Sequence, residues 1–164
     1  MEIRPVMLKD AEAIASIRRR DGVREGVLAL SSDRISVTTD FISSLTSGDR
    51  AFVAEENGEA AAFAVIVTNK EPHREHSASI AVMVDPDFQQ MGIGHKLMRR
   101  IVECADDELK LHRLELLVLT DNERAISLYK KFGFMVEATK WHAAVVRGLF
   151  VNEYSMGRLR GEGK

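Results

Sequence analysis

The sequence predicts an α/β (α+β) chain: one mixed sheet with helices on its faces. Three observations carry this expectation. Residues 60–68 are nearly all apolar, as a strand covered on both faces would be. Ile93, Leu97, Ile101 and Ala105 recur every four residues, with Met98 and Val102 beside them, which is the stripe of a long amphipathic helix. Asn57-Gly58 lies between two such strand patterns, where a tight hairpin turn belongs.

Residues 2–6 read as a short opening strand. Asp10 stands where a helix N-cap is expected, followed by Ala11, Ile14, Ala15 and Arg18 at helical spacing. Residues 21–37 carry Gly22, Gly26, Ser31 and Ser32 without periodicity, and are expected to form an irregular loop that could serve as a substrate lid. A second short helix is expected over 40–45, then strands over 51–55, 60–68 and 77–84, the last stopped by Asp85-Pro86. After the long helix come a strand over 111–119 and a helix from Asp121-Asn122 through Phe132, with Gly133 where a C-terminal glycine belongs. Two final strands, 134–146 and 149–158, are joined by Arg147-Gly148. The order is β-α-α-β-β-β-α-β-α-β-β, with no repeat, linker or low-complexity segment, and 1–164 reads as a single domain.

Composition narrows the function classes. The chain has 164 residues, 45% apolar and 29% charged, which suits one core. A net charge of −2 and a pI near 6.2 argue against nucleic acid as a partner held by bulk electrostatics, and Arg18, Arg19 and Arg20 read as a solvated helix end. Cys104 stands alone, so no intrachain disulfide forms, and its apolar neighbours mark it as a buried thiol. No signal-type apolar segment follows Met1 and no apolar run matches a bilayer, so no membrane partner is expected and the expected location is cytoplasmic.

The most informative stretch is 82–96: strand, turn, a loop with Gly92 and Gly94, then helix. The first N–H groups of a helix lack intrahelical partners, and the helix dipole draws anions there. Gly92 and Gly94 remove side chains where a pyrophosphate would approach the backbone. A P-loop is absent, and a dinucleotide fingerprint fails because position 97 is Leu. Two glycines alone would also suit a ligand-free turn; Gln89, three residues before Gly92, favours the anion cradle.

Gln89-x-x-Gly92-x-Gly94 resembles the Gln/Arg-x-x-Gly-x-Gly/Ala signature of the GNAT acetyltransferases. The segment from Ala125 through Leu128-Tyr129 to Gly133-Phe134 resembles a second signature of that family, and Ile3-Arg4-Pro5 with the following helix also looks family-like. The resemblance, strongest over 77–136, implies the GNAT acyl-CoA N-acyltransferase fold, a mixed and mostly antiparallel sheet flanked by helices. It implies acetyl-CoA as cosubstrate, with the loop Gln89, Gln90, Met91, Gly92, Ile93, Gly94 and His95 on the pyrophosphate. Val82, Met83 and Val84 would bind the pantetheine arm through their backbone, and Asn122 would contact the pantetheine region. Tyr129, two helical turns after Asn122 and on the same face, would be the acid that protonates the departing sulfur. The narrower likeness is to bacterial enzymes that acetylate amino acids or related small amines.

Amine attack on a thioester needs a neutral amine, a polarised carbonyl and a stabilised thiolate. No metal is required, and His73, His76, His95, His112 and His142 show no ligand spacing. Many relatives carry a carboxylate in the strand before the loop, but residues 77–81 have none. Glu115, inside an apolar strand, becomes the leading candidate for a base acting through water, with His76 behind it. In the last strands alternation puts Asn152 and Tyr154 on one face and Glu153 on the other. Trp141 and Tyr154 suit a core or dimer surface and an acceptor pocket equally. Three functions stay open: acetyl transfer to a small amine, to a protein N-terminus or lysine, or a non-catalytic coenzyme A sensor. A homodimer is expected from the apolar C-terminal strands.

Overall fold

The computed structural model describes residues 1–23 and 34–161. The elements run β1 (Glu2–Pro5), α1 (Ala11–Arg19), α2 (Ile35–Ser44), β2 (Arg50–Glu56), β3 (Glu59–Thr68), β4 (Ser77–Val84), α3 (Ile93–Glu103), β5 (Arg113–Leu119), α4 (Glu123–Lys131), β6 (Met135–Val146) and β7 (Leu149–Leu159), with short 3-10 turns between some of them. The expected order of strands and helices is therefore met element by element. The strands form one sheet in the order β1-β2-β3-β4-β5-β7-β6. Every pairing among the described strands is antiparallel except β4 with β5. The β2–β3 hairpin turns at Asn57-Gly58, as its sequence requires.

Alternation along the strands separates two cores. Phe52, Ala62, Ala64, Ile66, Leu114, Leu116, Val118 and Met156 face α3 and α4, where Ile93, Leu97 and Ile101 are at most 1% exposed. Full burial of each such aliphatic side chain contributes about 1.5–3 kcal/mol. Val53, Phe63, Val65 and Met83 face the other way, against Ile14 and Ile17 of α1. Residues 60–66 of β3 are buried throughout because both faces are covered, which explains their unbroken apolar run.

Two local expectations are corrected. Asp10 does not cap α1 with its side chain. Its carboxylate accepts instead from the Met7 amide at 2.8 Å and from both terminal nitrogens of Arg4 at 2.8 and 2.9 Å, a buried pairing that outbids the cap. The second helix begins at Ile35 rather than at Asp40, without a side-chain cap to announce it. Of the expected loop over 21–37, residues 24–33, and with them Gly26, Ser31 and Ser32, lie outside the described residues.

Behind α3 the chain makes a π turn, Cys104–Glu108. Asp106 in this turn takes two bonds from Arg158 of β7, at 2.9 and 2.7 Å, while Arg158 Nε donates to the Phe132 carbonyl at 3.0 Å. One guanidinium thus ties the ends of α3 and α4 to the sheet. No helix among the described residues is long and apolar enough to cross a membrane.

Candidate active site

The parallel pairing of β4 and β5 stops after Ser79 and Glu115. Beyond that point β4 stays paired to β3 as far as Val84, and β5 to β7 as far as Leu119. The two strands therefore splay, leaving main-chain groups on their facing edges without strand partners. Two cavities meet in this wedge, of about 460 and 440 Å³, and Val82, Leu117, Val118 and Tyr129 line both.

The first cavity is built by the turn from β4 into α3. Asp85 holds the turn by accepting from the Asp87 amide at 2.9 Å, and Arg20 pairs with Asp87 at 2.9 Å. Gln89 braces it further: its side-chain nitrogen donates to the Val84 carbonyl at 3.1 Å, and its oxygen accepts from Arg124 of α4 at 2.8 Å. The side chain of the signature glutamine is thus spent on holding the loop between strand and helix. The chain then passes through positive φ at Gln90 (66°) and at Gly92 (77°), where glycine removes the Cβ penalty. Gly92 is the N-cap of α3, no side chain caps it, and the first main-chain bond into the helix runs from Lys96 N to Gly92 O at 3.1 Å. Among the described residues the amides of Gln90, Met91 and Gly92 have no acceptor, and those of Ile93, Gly94 and His95 are the open end of the helix. Gly94 serves by its smallness, since a Cβ there would lie 3.3 Å from Leu128 Cδ2 and 3.8 Å from Val84 Cγ2. Unfilled amides at a positive helix end, with Arg124, Lys131 and His95 around them, fit a diphosphate.

Val82, Met83, Val84, Gln89, Gln90, Gly92, Ile93, Gly94, His95, Asn122 and Tyr129 all line this cavity. Met91 is the exception: its side chain is 59% exposed and turned away, which leaves only its amide to the loop. Asn122 caps α4, its oxygen accepting from the Ala125 amide at 3.2 Å. Tyr129 is 8% exposed, with its ring beside Phe134 at 6.0 Å. Among the described residues its hydroxyl has no hydrogen-bond partner, and burial pushes its pKa up to about 12. At neutral pH this phenol is a donor and cannot act as a base.

The second cavity adjoins the first across Val82, Leu117, Val118 and Tyr129. Register places Glu115 opposite Gly157, Leu117 opposite Ser155, and Leu119 opposite Glu153, with Lys140 next in line on β6. Glu115 accepts two bonds from Arg113, both at 3.2 Å. The same guanidinium grips Glu137 at 2.6 and 3.0 Å, which holds the Glu137 carboxyl below its usual pKa. Gly157 permits this crossing, because a Cβ there would collide with the Glu137 carboxylate. Glu153 is 6% exposed, opens into the cavity and has neither hydrogen bond nor ion pair among the described residues.

His76 lies 6.3 Å from His112 and lines neither cavity. Cys104 is fully buried away from both, and burial with the nearby Glu108 pushes its pKa up to about 11, which leaves an inert thiol. Tyr154 packs on the larger core, whereas Trp141 is 76% exposed, and neither lines a cavity. Sequence reading missed Arg124 and Lys131, although with Ser127 and Leu128 they keep helical spacing along the face that carries Asn122. It also missed Lys140, for which no local pattern exists.

The acetyltransferase (GNAT) family model matches residues 18–134, which contain the whole wedge-to-loop unit. The chain belongs to this family. Over 113 residues it is 34% identical to the L-amino acid N-acetyltransferase AaaT of Escherichia coli (strain K12), covering 69% of this chain and 70% of that protein. Over 108 residues it is 31% identical to the spermidine N(1)-acetyltransferase of the same strain, covering 66% of this chain and 57% of that protein. Among solved structures, a ribosomal-protein-alanine N-acetyltransferase from Brucella melitensis superposes with TM-score 0.85 at 22% identity, over 97% of this chain and 99% of that one. The YncA acetyltransferase from Salmonella typhimurium, solved with its cofactor acetyl-CoA, superposes with TM-score 0.83 at 21% identity, over 100% of this chain and 96% of that one. At such identities these two structures establish the GNAT fold. This GNAT acetyltransferase is an acetyl-CoA-dependent acyltransferase, and the free amides of residues 90–95 form a site that its cosubstrate fits.

Proposed function

We propose that this GNAT acetyltransferase, acting as one domain over 1–164, transfers the acetyl group of acetyl-CoA directly to the primary amine of a small molecule, an amino acid above all. The observation that carries the reading is the meeting of two cavities at Tyr129. The first fits a diphosphate and an extended arm along β4. The second, of about 440 Å³, has the capacity of a small-molecule pocket rather than of a peptide groove. The amino-acid and polyamine activities in the names of the curated relatives support the same class. The exposed Trp141, Leu149 and Phe150 on the β6–β7 hairpin support a homodimer, and a cytoplasmic location belongs to the same proposal.

Acetyl-CoA supplies the thioester whose C–S bond is exchanged for the new C–N bond. The amides of Gln90 through His95, with Arg124 and Lys131, would hold its diphosphate, and the free edge of β4 would orient its arm. Asn122 retains its side-chain amide for the same arm while its oxygen caps α4. Tyr129 keeps its proton and can donate a hydrogen bond to the departing sulfur. It cannot be the final proton source: against a thiol of pKa about 8.5, its own value of about 12 makes outright transfer uphill by about 5 kcal/mol. Tyr129 therefore stabilises the sulfur while relaying the proton that the amine nitrogen loses. Glu115, the other candidate for a base acting through water, already accepts two hydrogen bonds from Arg113.

Thiol release from acetyl-CoA, measured across amino acids, polyamines and peptides, tests the proposal. Release with small amines is expected. Release with peptides alone would move the function to protein acetylation. Acetyl-CoA binding without release for any amine would make the chain a sensor.

A further inference from the structure

Four ionisable side chains face the second cavity: Tyr129, Glu115, Lys140 and Glu153. Burial keeps the Tyr129 hydroxyl neutral, and Arg113 answers the charge of Glu115. One anion and one cation remain. Glu153 is 6% exposed and, like Lys140, has no ion pair or hydrogen bond from its side chain among the described residues. They are direct register partners on β6 and β7, so their side chains leave the sheet on the same face, yet they do not join. The Glu153 carboxylate, open to the cavity and unclaimed by any cation among the described residues, is free to meet a cationic ligand.

We infer that Glu153 and Lys140 read the two charges of a zwitterionic acceptor: the ammonium of an α-amino acid goes to Glu153 and its carboxylate to Lys140. Directly opposed residues in an antiparallel pair keep their Cβ atoms about 5 Å apart, a separation that one α-amino acid backbone can bridge. Glu153 lies deep in the cavity and Lys140 at its exposed edge, so the amine enters first, toward the Tyr129 end, and the carboxylate stays outward. Leu117, Leu119 and Ala81 supply apolar wall for the side chain, which favours neutral amino acids. A polyamine offers Lys140 no anion and is disfavoured. The inference rests on the small-amine reading above and makes it specific.

The test compares steady-state acetylation of neutral L-amino acids, their amides and the matching carboxyl-free amines. The wild-type protein is expected to prefer the acids over the amides by about tenfold or more in kcat/KM, the worth of one charge-assisted contact. Lys140→Met is expected to erase most of that preference. Glu153→Gln is expected to raise the acceptor KM about tenfold without raising the acetyl-CoA KM. It is also expected to leave the melting temperature close to that of the wild type, since no partner among the described residues is lost; a structural glutamate would lower it and leave the KM alone. Should the wild type acetylate amides as well as acids, or Lys140→Met leave their ratio intact, the inference falls while the small-amine reading stands. Release from no amine at all overturns both.

Discussion

The two cavities differ in what builds them. On the cosubstrate side the working groups are main-chain amides from one run of the chain, 90–95, held open by two glycines and braced by Gln89. On the acceptor side they are side chains from four strands: Ser79, Glu115, Lys140 and Glu153. Backbone amides bind a diphosphate whatever side chains surround them, so that half can stay fixed. Side-chain charges can change one at a time, so the other half can be retuned without loss of the first. Tyr129 belongs to both, which makes it the position where the division is tested hardest.

Tyr129→Phe should therefore have the largest effect, a fall in kcat of about 100-fold with little change in either KM, as expected for removing a donor used mainly at the transition state. The sign of its pH dependence follows from burial. The useful form is the protonated one, and with the pKa pushed up to about 12 it is lost only as pH climbs toward that value. Wild-type kcat/KM should rise as the amine loses its proton, with no fall before about pH 10. A descending limb below that pH that disappears in Tyr129→Phe would show that this phenol titrates in the working range.

The same division decides what could be read from the sequence. The amphipathic stripe of α3, the apolar run of β3 and the loop from Gln89 to Gly94 are contiguous, so periodicity and glycine placement exposed them directly. Asp10 misled because a capping residue type was close enough to Arg4 to be claimed by it, a contact that local spacing does not reveal. Glu115 is legible as a carboxylate in an apolar strand, but its pairing with Arg113, two residues away on the same strand, is a contact that spacing alone does not reveal. Alternation separates Glu153 from Asn152 and Tyr154 but does not say which face holds the cavity. The meaning of Glu153 depends on Leu119 opposite, Lys140 beside it and the gap between β4 and β5, none of which a single strand records.

A smaller effect is expected at the brace of the cosubstrate side. Gln89→Ala removes the bonds to the Val84 carbonyl and to Arg124, two contacts that fix the loop without touching the acceptor cavity. Losing hydrogen bonds of this kind is worth about 1 kcal/mol or somewhat more, so the acetyl-CoA KM should rise roughly five- to tenfold. The ranking of acceptors should not move. If the ranking changed as well, the two cavities would be coupled through the loop and the division would fail.

The smallest effect should come from Glu115→Gln, and it separates two carboxylates that share one cavity. Glu115 is 40% exposed and already engaged by Arg113, which also holds Glu137 more tightly, so removing its charge leaves that guanidinium a partner. Exposed pairs of this type contribute about 0.2–1 kcal/mol, and kcat/KM should stay within about threefold of wild type with an unchanged pH profile. Glu153 has no such partner, and the same isosteric change there should act on the acceptor KM. A Glu115→Gln protein that loses the rising limb of its pH profile would restore Glu115 as the base, and would place deprotonation of the amine at the Arg113 edge of the cavity.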